Sequence, residues 1–169
     1  MIGGATIMIW VCRAGMNSIY LDTFLNSKKV YLPWDGFKVN LRQYTDREQL
    51  KALVRQEKGD VARTSISNWS GQLYTFCWEM QKGDYVLIPH KGSRSYTFGK
   101  LVGDYSFCDS NENELWHSRD IEILITDIPR EAFSQSMRYS LGAYRTIFKV
   151  KDEEELLAAI TKYRKQKKV

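Results

Sequence analysis

Cysteine is scarce in this sequence: Cys12, Cys77 and Cys108 are odd in number, scattered, and without a Cys-x-x-Cys pair. That spacing argues against a disulfide framework and a structural zinc site, and a reducing, cytoplasmic setting is expected. Long apolar runs are missing as well. The longest, Ala5 to Cys12, is broken by Thr6 and followed by Arg13, well short of the roughly 20 residues that cross a bilayer. No membrane partner is expected, and no signal peptide or anchor is visible, because Gly3 and Gly4 lead into a stretch better read as a strand. Histidine is limited to His90 and His117, neither near a Gly-x-Ser-x-Gly nucleophile. Phosphate-loop and dinucleotide glycine fingerprints are absent. The densest carboxylates, Asp152 to Glu155, are consecutive, so on a helix they point in different directions and do not converge on a nuclease metal. No cofactor, metal ion or catalytic residue is therefore expected, and the chain reads as a binder.

What the sequence does have is the composition of one globular domain, with 169 residues, 43% hydrophobic and 27% charged. Its 25 Lys and Arg against 20 Asp and Glu give a net +5, which points to anionic partners only where the charge is concentrated. Lys162, Arg164, Lys165, Lys167 and Lys168 account for the whole excess, and this tail is either a solubilising end or a set of phosphate contacts. Upstream, residues 38–100 carry 11 basic and 6 acidic side chains while 101–161 carry 6 and 12. One basic and one acidic face are expected.

Thr6 to Arg13, rich in β-branched and aromatic residues, reads as a buried strand ending in Ala14-Gly15. Asn17 or Ser18 is placed to cap a short helix through Asn26, and Val30 to Trp34 reads as a second strand closed by the Pro33-Trp34-Asp35-Gly36 turn. Thr45-Asp46-Arg47-Glu48 has the form of a capping box, and Leu50, Leu53 and Val54 follow at helical spacing, which predicts a helix over 46–57 stopped by Gly59. Ser67 to Gln72 is expected to open a third helix with Trp69, Leu73, Phe76 and Met80 on one stripe. Asp84 to Pro89, Ser95 to Asp104 and Leu115 to Thr126 read as strands, the first two joined by the Lys91-Gly92-Ser93 turn. After Pro129 comes a short irregular or helical stretch, Arg145 to Val150 is a last strand, and Asp152 with Glu155 caps a final helix burying Leu156, Leu157 and Ile160. The expected fold is α+β, a small, mostly antiparallel β-barrel surrounded by three to four helices. Residues 1–150 read as the binding domain and 151–169 as a basic helix or the start of a linker.

The aromatic residues fall in unusual company. Trp34 sits in a turn beside Asp35, Trp69 beside Asn68 and Ser70, and Trp116 beside His117. Each pairs a large π face with a hydrogen-bonding group, the combination that holds one nucleobase by stacking while reading its edge. Arg13, Arg63 and Arg94 are candidates for the flanking phosphates. Tryptophans also fill cores. Trp10 and Trp78 read as core, Trp69 as core or pocket wall, and Trp34, in its polar turn, as pocket.

The order of these segments resembles the PUA-like superfamily that contains the EVE and YTH domains. The residues carrying the likeness are Arg13-Ala14-Gly15, Tyr31-Leu32-Pro33-Trp34, Asn68 to Leu73, Met80-Gln81-Lys82-Gly83-Asp84-Tyr85-Val86 and Phe98 to Gly103. More narrowly, WVCRAG at 10–15, GQLYTFCWEMQKGDYVLIP at 71–89, LWHSRDIEI at 115–123 and IPREAFSQSMRYSLGAYRTIF at 128–148 are similar to the N-terminal domain of predicted Mrr-type restriction endonucleases. The resemblance covers roughly residues 6–150 and implies an EVE-type barrel with an aromatic cage for a modified base, flipped from DNA or presented by single-stranded RNA. It implies that Trp34 stacks on the base, that Asp35 reads its edge, and that Asn68, Trp69 and Ser70 form the opposite wall. Arg13, Ala14 and Gly15 would line the floor with backbone groups. In that restriction family a nuclease domain follows, and no PD-(D/E)xK arrangement occurs in this chain, so the resemblance leaves three expectations open: a reader domain of a longer chain with a nuclease in cis, a reader with a nuclease effector in trans, or a reader that acts alone. The leading expectation is a non-catalytic, base-flipping reader of modified DNA, the specificity module of a modification-dependent restriction or phage-defence system. The alternatives are an RNA reader of modified nucleotides, a small hydrolase recruiting Lys29, Lys91, Tyr96 or His117, and a protein-interaction domain whose tryptophans are all core.

Overall fold

Strand β1 (Ile9–Cys12) is buried at every position. Trp10 and Cys12 point into one hydrophobic core and Ile9 and Val11 into a second, the period-two alternation of a strand covered on both faces. A computed structural model describes residues 7–168 of the chain. Gly3, Gly4, Ala5 and Thr6, which entered the leader and strand readings, lie outside the described residues. After β1 come a 3-10 turn (Met16–Ser18), α1 (Leu21–Ser27), β2 (Lys29–Tyr31), α2 (Arg47–Lys58) and α3 (Arg63–Tyr74), which runs on into a π-helical turn (Thr75–Glu79). Strands β3 (Tyr85–His90), β4 (Ser95–Leu101), β5 (Ser106–Phe107) and β6 (His117–Pro129) follow, then α4 (Gln135–Leu141), β7 (Ile147–Lys149) and α5 (Glu153–Lys167).

The strand order is β2-β6-β4-β3-β1-β7, with β5 also paired to β6. β1 and β3 run parallel, and every other ladder is antiparallel. Among the described residues this makes an α+β fold, a mixed sheet curled into a half-barrel with five α-helices. Strand β6 is long enough to serve three partners, pairing β5 through residues 117–118, β2 through 118–120 and β4 through 121–129. Register shifts between Tyr96 and Phe98 and between Phe98 and Gly99 interrupt the β4 ladder, the kind of irregularity that bends a strand. Gly99 permits close approach there, since a Cβ would sit 2.8 Å from the Glu122 carbonyl oxygen. Helices α1 to α3 cover the first core through Phe24, Leu50, Leu53, Val54, Ile66 and Leu73. Helices α4 and α5 cover the second through Met137, Leu141, Leu156 and Ile160.

Three local expectations shift. Helix α2 lies where its periodicity puts it and ends at Gly59 with φ +73°, but its cap is Asp46, one residue later than Thr45. The Asp46 carboxylate accepts from the Gln49 amide at 2.8 Å, and the Gln49 side chain accepts from the Thr45 amide at 2.6 Å. A carboxylate is the better partner for the positive end of the helix dipole. Helix α3 begins at Arg63, with no side-chain cap to announce it, so the segment Ser67–Gln72 is helix interior. Asn17 and Ser18 cap nothing. Both adopt positive φ, +56° and +58°, and Ser18 Oγ instead donates to Pro89 O at 3.3 Å and accepts from the Lys91 amide at 3.0 Å.

Arg119 lies in the core, 2% exposed, and makes no ion pair among the described residues. Its Nη1 donates to Phe76 O (3.0 Å) and Met80 O (2.6 Å), and its Nε donates to Gly103 O (3.1 Å). Phe76 lies within the π-helical turn that ends the α3 run and Met80 is its C-cap, so their carbonyls belong to the last turn, where unpaired carbonyls gather negative partial charge and stabilise a buried cation without an anion. Replacing Arg119→Met removes those donors and strands carbonyls in the core, an expected loss of about 3 kcal/mol. Urea unfolding at neutral pH checks this as a lowered midpoint, and an unchanged midpoint would show that the guanidinium does not hold the helix end.

Candidate nucleic-acid interface

The turn after β2 brings three aromatic rings together around Phe37, which is 1% exposed. Trp34 lies tilted against it at 6.0 Å between centroids, and Trp69 of α3 meets it edge-on at 6.5 Å. Both tryptophans are half-buried. Lys58, the last residue of α2, holds its ammonium 5.0 Å from the Trp69 centroid and 5.5 Å from that of Phe37, and bonds the Asp35 carboxylate at 3.2 Å. Trp34, Asp35 and Trp69 therefore come together as the sequence suggested. A cation–π contact with Lys58 nevertheless occupies Trp69, and Asp35 is engaged by the same ammonium.

A buried relay fixes the turn. The Tyr105 hydroxyl accepts from the Leu41 amide (3.1 Å) and donates to His117 Nδ1 (2.6 Å), and His117 Nε2–H donates to Phe37 O (2.8 Å). This pattern makes the imidazole neutral, and burial pushes its pKa down to about 4. His117 is thus a positioning residue with both ring nitrogens in use, and it offers no edge to a ligand. Trp116 makes no ring contact with the Phe37 cluster among the described residues and is half-buried, with the Lys38 ammonium 5.5 Å from its ring.

A second anchor comes from the residue just before β7. The Trp34 indole N–H donates to Thr146 Oγ1 at 3.0 Å. Gln72 of α3 accepts from the Thr146 and Ile147 amides at 3.1 and 2.9 Å and donates to Asn68 Oδ1 at 3.2 Å, so a helix side chain satisfies the outer end of the sheet. Alongside runs a groove of about 630 Å³ between α3 and β7, whose charged lining is Arg47, Arg63, Arg145, Lys149 and Glu79. Four cations face one anion there, and Glu79 pairs with Arg47 at 3.5 Å.

The remaining candidates separate. Successive helix residues diverge by about 100°, so Asn68 faces the groove, Trp69 faces Phe37, and Ser70 turns inward, 1% exposed, onto Ser67 O. They do not form one wall. Arg13 commits its guanidinium to the carbonyls of Leu141, Ala143 and Arg145 at 2.9–3.1 Å and braces a loop. The carbonyls of Ala14 and Gly15 accept from the Tyr20 and Ser18 amides within the same turn. Arg94 is exposed in the β3–β4 turn at φ +51° and is not among the groove residues, whereas Arg63 is. Phe37, Lys58, Gln72, Arg145 and Thr146 were missed, because their partners are distant in sequence; Trp34 and Thr146 stand 112 residues apart. Only Gln72 left a local signal, its i,i+4 spacing from Asn68.

Residues 10–167 match the family model described as a domain of unknown function, DUF8426. The chain belongs to that family. No curated protein matches it. Solved structures similar to it include a hypothetical protein from Leishmania major, 13% identical, with a TM-score of 0.44 and coverage of 96% of this chain and 98% of that one. Protein Atu2648 from Agrobacterium tumefaciens is similar at 13% identity and a TM-score of 0.41, covering 92% of both chains. Among the described residues of this DUF8426 domain, no three His, Cys, Asp or Glu side chains converge as a metal site, and no helix is long and apolar enough to cross a membrane. Burial pushes the Cys12 thiol up to about 12 and that of Cys77 up to about 11, so both stay protonated at neutral pH.

The buried imidazole gives the DUF8426 domain a pH dependence of definite sign. His117 titrates near 6.5 when unfolded and near 4 when folded, so between those values the unfolded chain binds the proton. Its contribution of roughly 3 kcal/mol is complete above about pH 6.5 and is lost as the pH falls through the folded value. Urea midpoints taken from neutral to mildly acidic pH should fall more steeply for wild type than for His117→Gln. Parallel slopes would place the titration elsewhere.

Proposed function

We propose that this domain is a non-catalytic reader of modified bases in DNA, taking a flipped base against Trp34 and Trp69 and holding the adjoining backbone in the cationic groove. The observation that carries the reading is the double service of one segment: Thr146 fixes the Trp34 indole, while Arg145 and Lys149 on either side of it line the groove. Flipping costs a few kcal/mol and stacking returns about 1–3 kcal/mol per base, so neither the rings nor the groove suffices alone. Stacking on the face of Trp69 displaces Lys58, and the freed ammonium adds a cation for phosphate. On this reading the half-barrel is a PUA-like, mostly antiparallel barrel of the EVE type. The domain then serves as the specificity module of a modification-dependent restriction or phage-defence system, with a nuclease effector in cis or in trans.

Fluorescence anisotropy against matched duplexes, unmodified or carrying each common cytosine or adenine modification, tests the reading, with single-stranded RNA in parallel. One modified duplex should be preferred, and the preference should vanish in Trp34→Ala while its melting curve remains cooperative. Equal binding of all duplexes, or a preference for RNA, would contradict the reading. Salt titrations probe the groove separately. Arg63→Ala and Arg145→Ala should each flatten the log–log salt dependence by about one unit, and an unchanged slope in both would remove the groove from the binding surface.

A further inference from the structure

Between α4 and β7 the chain presents the most exposed large hydrophobic side chain among the described residues, Tyr144 at 97%. Such exposure on a floppy loop would mean little, but this loop is braced. The Arg145 amide donates back to Ala143 O at 2.9 Å, closing a three-residue turn with Tyr144 at its tip. Arg13 grips the same turn from below, its guanidinium donating to the carbonyls of Leu141, Ala143 and Arg145. The Gly142 amide donates to Arg138 O and the Ala143 amide to Ser140 O, which continues the turn from the end of α4. An aromatic ring thus projects into solvent from a backbone whose ordering cost is met on folding.

Its position gives the projection a direction. Arg145, the next residue, lines the cationic groove, and Thr146, two residues on, holds the Trp34 indole. A base drawn out of a duplex leaves a gap in the stack, and base-displacing proteins fill such gaps with apolar or aromatic wedges. We propose that Tyr144 enters the stack at the position the read base vacates, so that the ligand of this site is duplex DNA rather than a single strand. The inference rests on the base-reading function. It adds to that function the residue that holds the duplex open, and it gives Arg13 its task as the brace beneath the wedge.

The test compares wild type, Tyr144→Ala, Tyr144→Phe and the control Tyr139→Ala, which removes another ring that is 88% exposed one turn back along α4. The probes are duplexes carrying 5-methylcytosine, 5-hydroxymethylcytosine or N6-methyladenine, and single-stranded oligonucleotides of the same sequences. Tyr144→Ala should weaken the preferred duplex by about tenfold or more while leaving the single strand unchanged, because a single strand has no stack to refill. Tyr144→Phe should retain duplex affinity and Tyr139→Ala should match wild type. Equal losses on duplex and single strand, or no loss on either, overturn the wedge. A duplex preference that survives Tyr144→Ala but vanishes in Trp34→Ala also overturns it while leaving the reader intact. Wild type without preference for any modified duplex overturns both.

Discussion

A neutral imidazole buried between two hydrogen-bond partners holds the site in place. His117 accepts a hydrogen bond from the Tyr105 hydroxyl on one nitrogen and donates one to the Phe37 carbonyl with the other, so a side chain of β6 dictates where the turn after β2 must lie. Phe37 in turn is the ring on which both Trp34 and Trp69 rest. Removing water from this relay strengthens each of its bonds and makes any unpaired member expensive. The arrangement therefore tolerates the neutral imidazole and disfavours the charged one.

Around that anchor the protein repeatedly pairs cations with carbonyls or π faces. Arg119 ties the end of the π-helical turn to the Gly103 loop through three backbone carbonyls, Arg13 braces the 141–145 loop through three more, and Lys58 lies over Trp69 and Phe37. The two arginines serve the fold, while Lys58 occupies the ring face that the proposed base would take. These contacts divide the basic residues into those engaged inside the fold and those, such as Arg63 and Arg145, that line the groove with charge available to an anion, Lys149 there being paired with Glu153 at 3.6 Å. Net charge alone conceals this division, since the terminal cluster on α5 accounts for the whole excess of +5.

The sequence made most strands legible, though not the two-residue β5 and not the end of β2, which stops at Tyr31 rather than Trp34, and it made helix α2 legible because Leu50, Leu53 and Val54 recur at helical spacing before a glycine. It also singled out Trp34, Asp35 and Trp69, which the fold brings together. The start of α3 was hidden because Ala62 offers no side-chain cap. The turn at Asn17 and Ser18 was misread because contacts with Pro89 and Lys91, more than 70 residues away, draw it from helix into positive φ. Arg13 looked like a phosphate ligand because its three carbonyl partners lie about 130 residues later. Local pattern reports faces and caps, and it is silent about which distant backbone groups need a donor.

The five tryptophans supply an internal comparison. Trp10 is committed to Asp84, Trp78 to Tyr44 and Trp34 to Thr146, and each indole N–H gives its own resonance. The most direct measurement is a titration of the 15N-labelled domain with modified duplexes, followed at those indole signals. The account predicts that the Trp34 and Trp69 resonances move with one modified duplex and that of Trp78, which is not among the groove residues, stays fixed. Movement of Trp78 instead, or no movement of Trp34 at saturation, would contradict it.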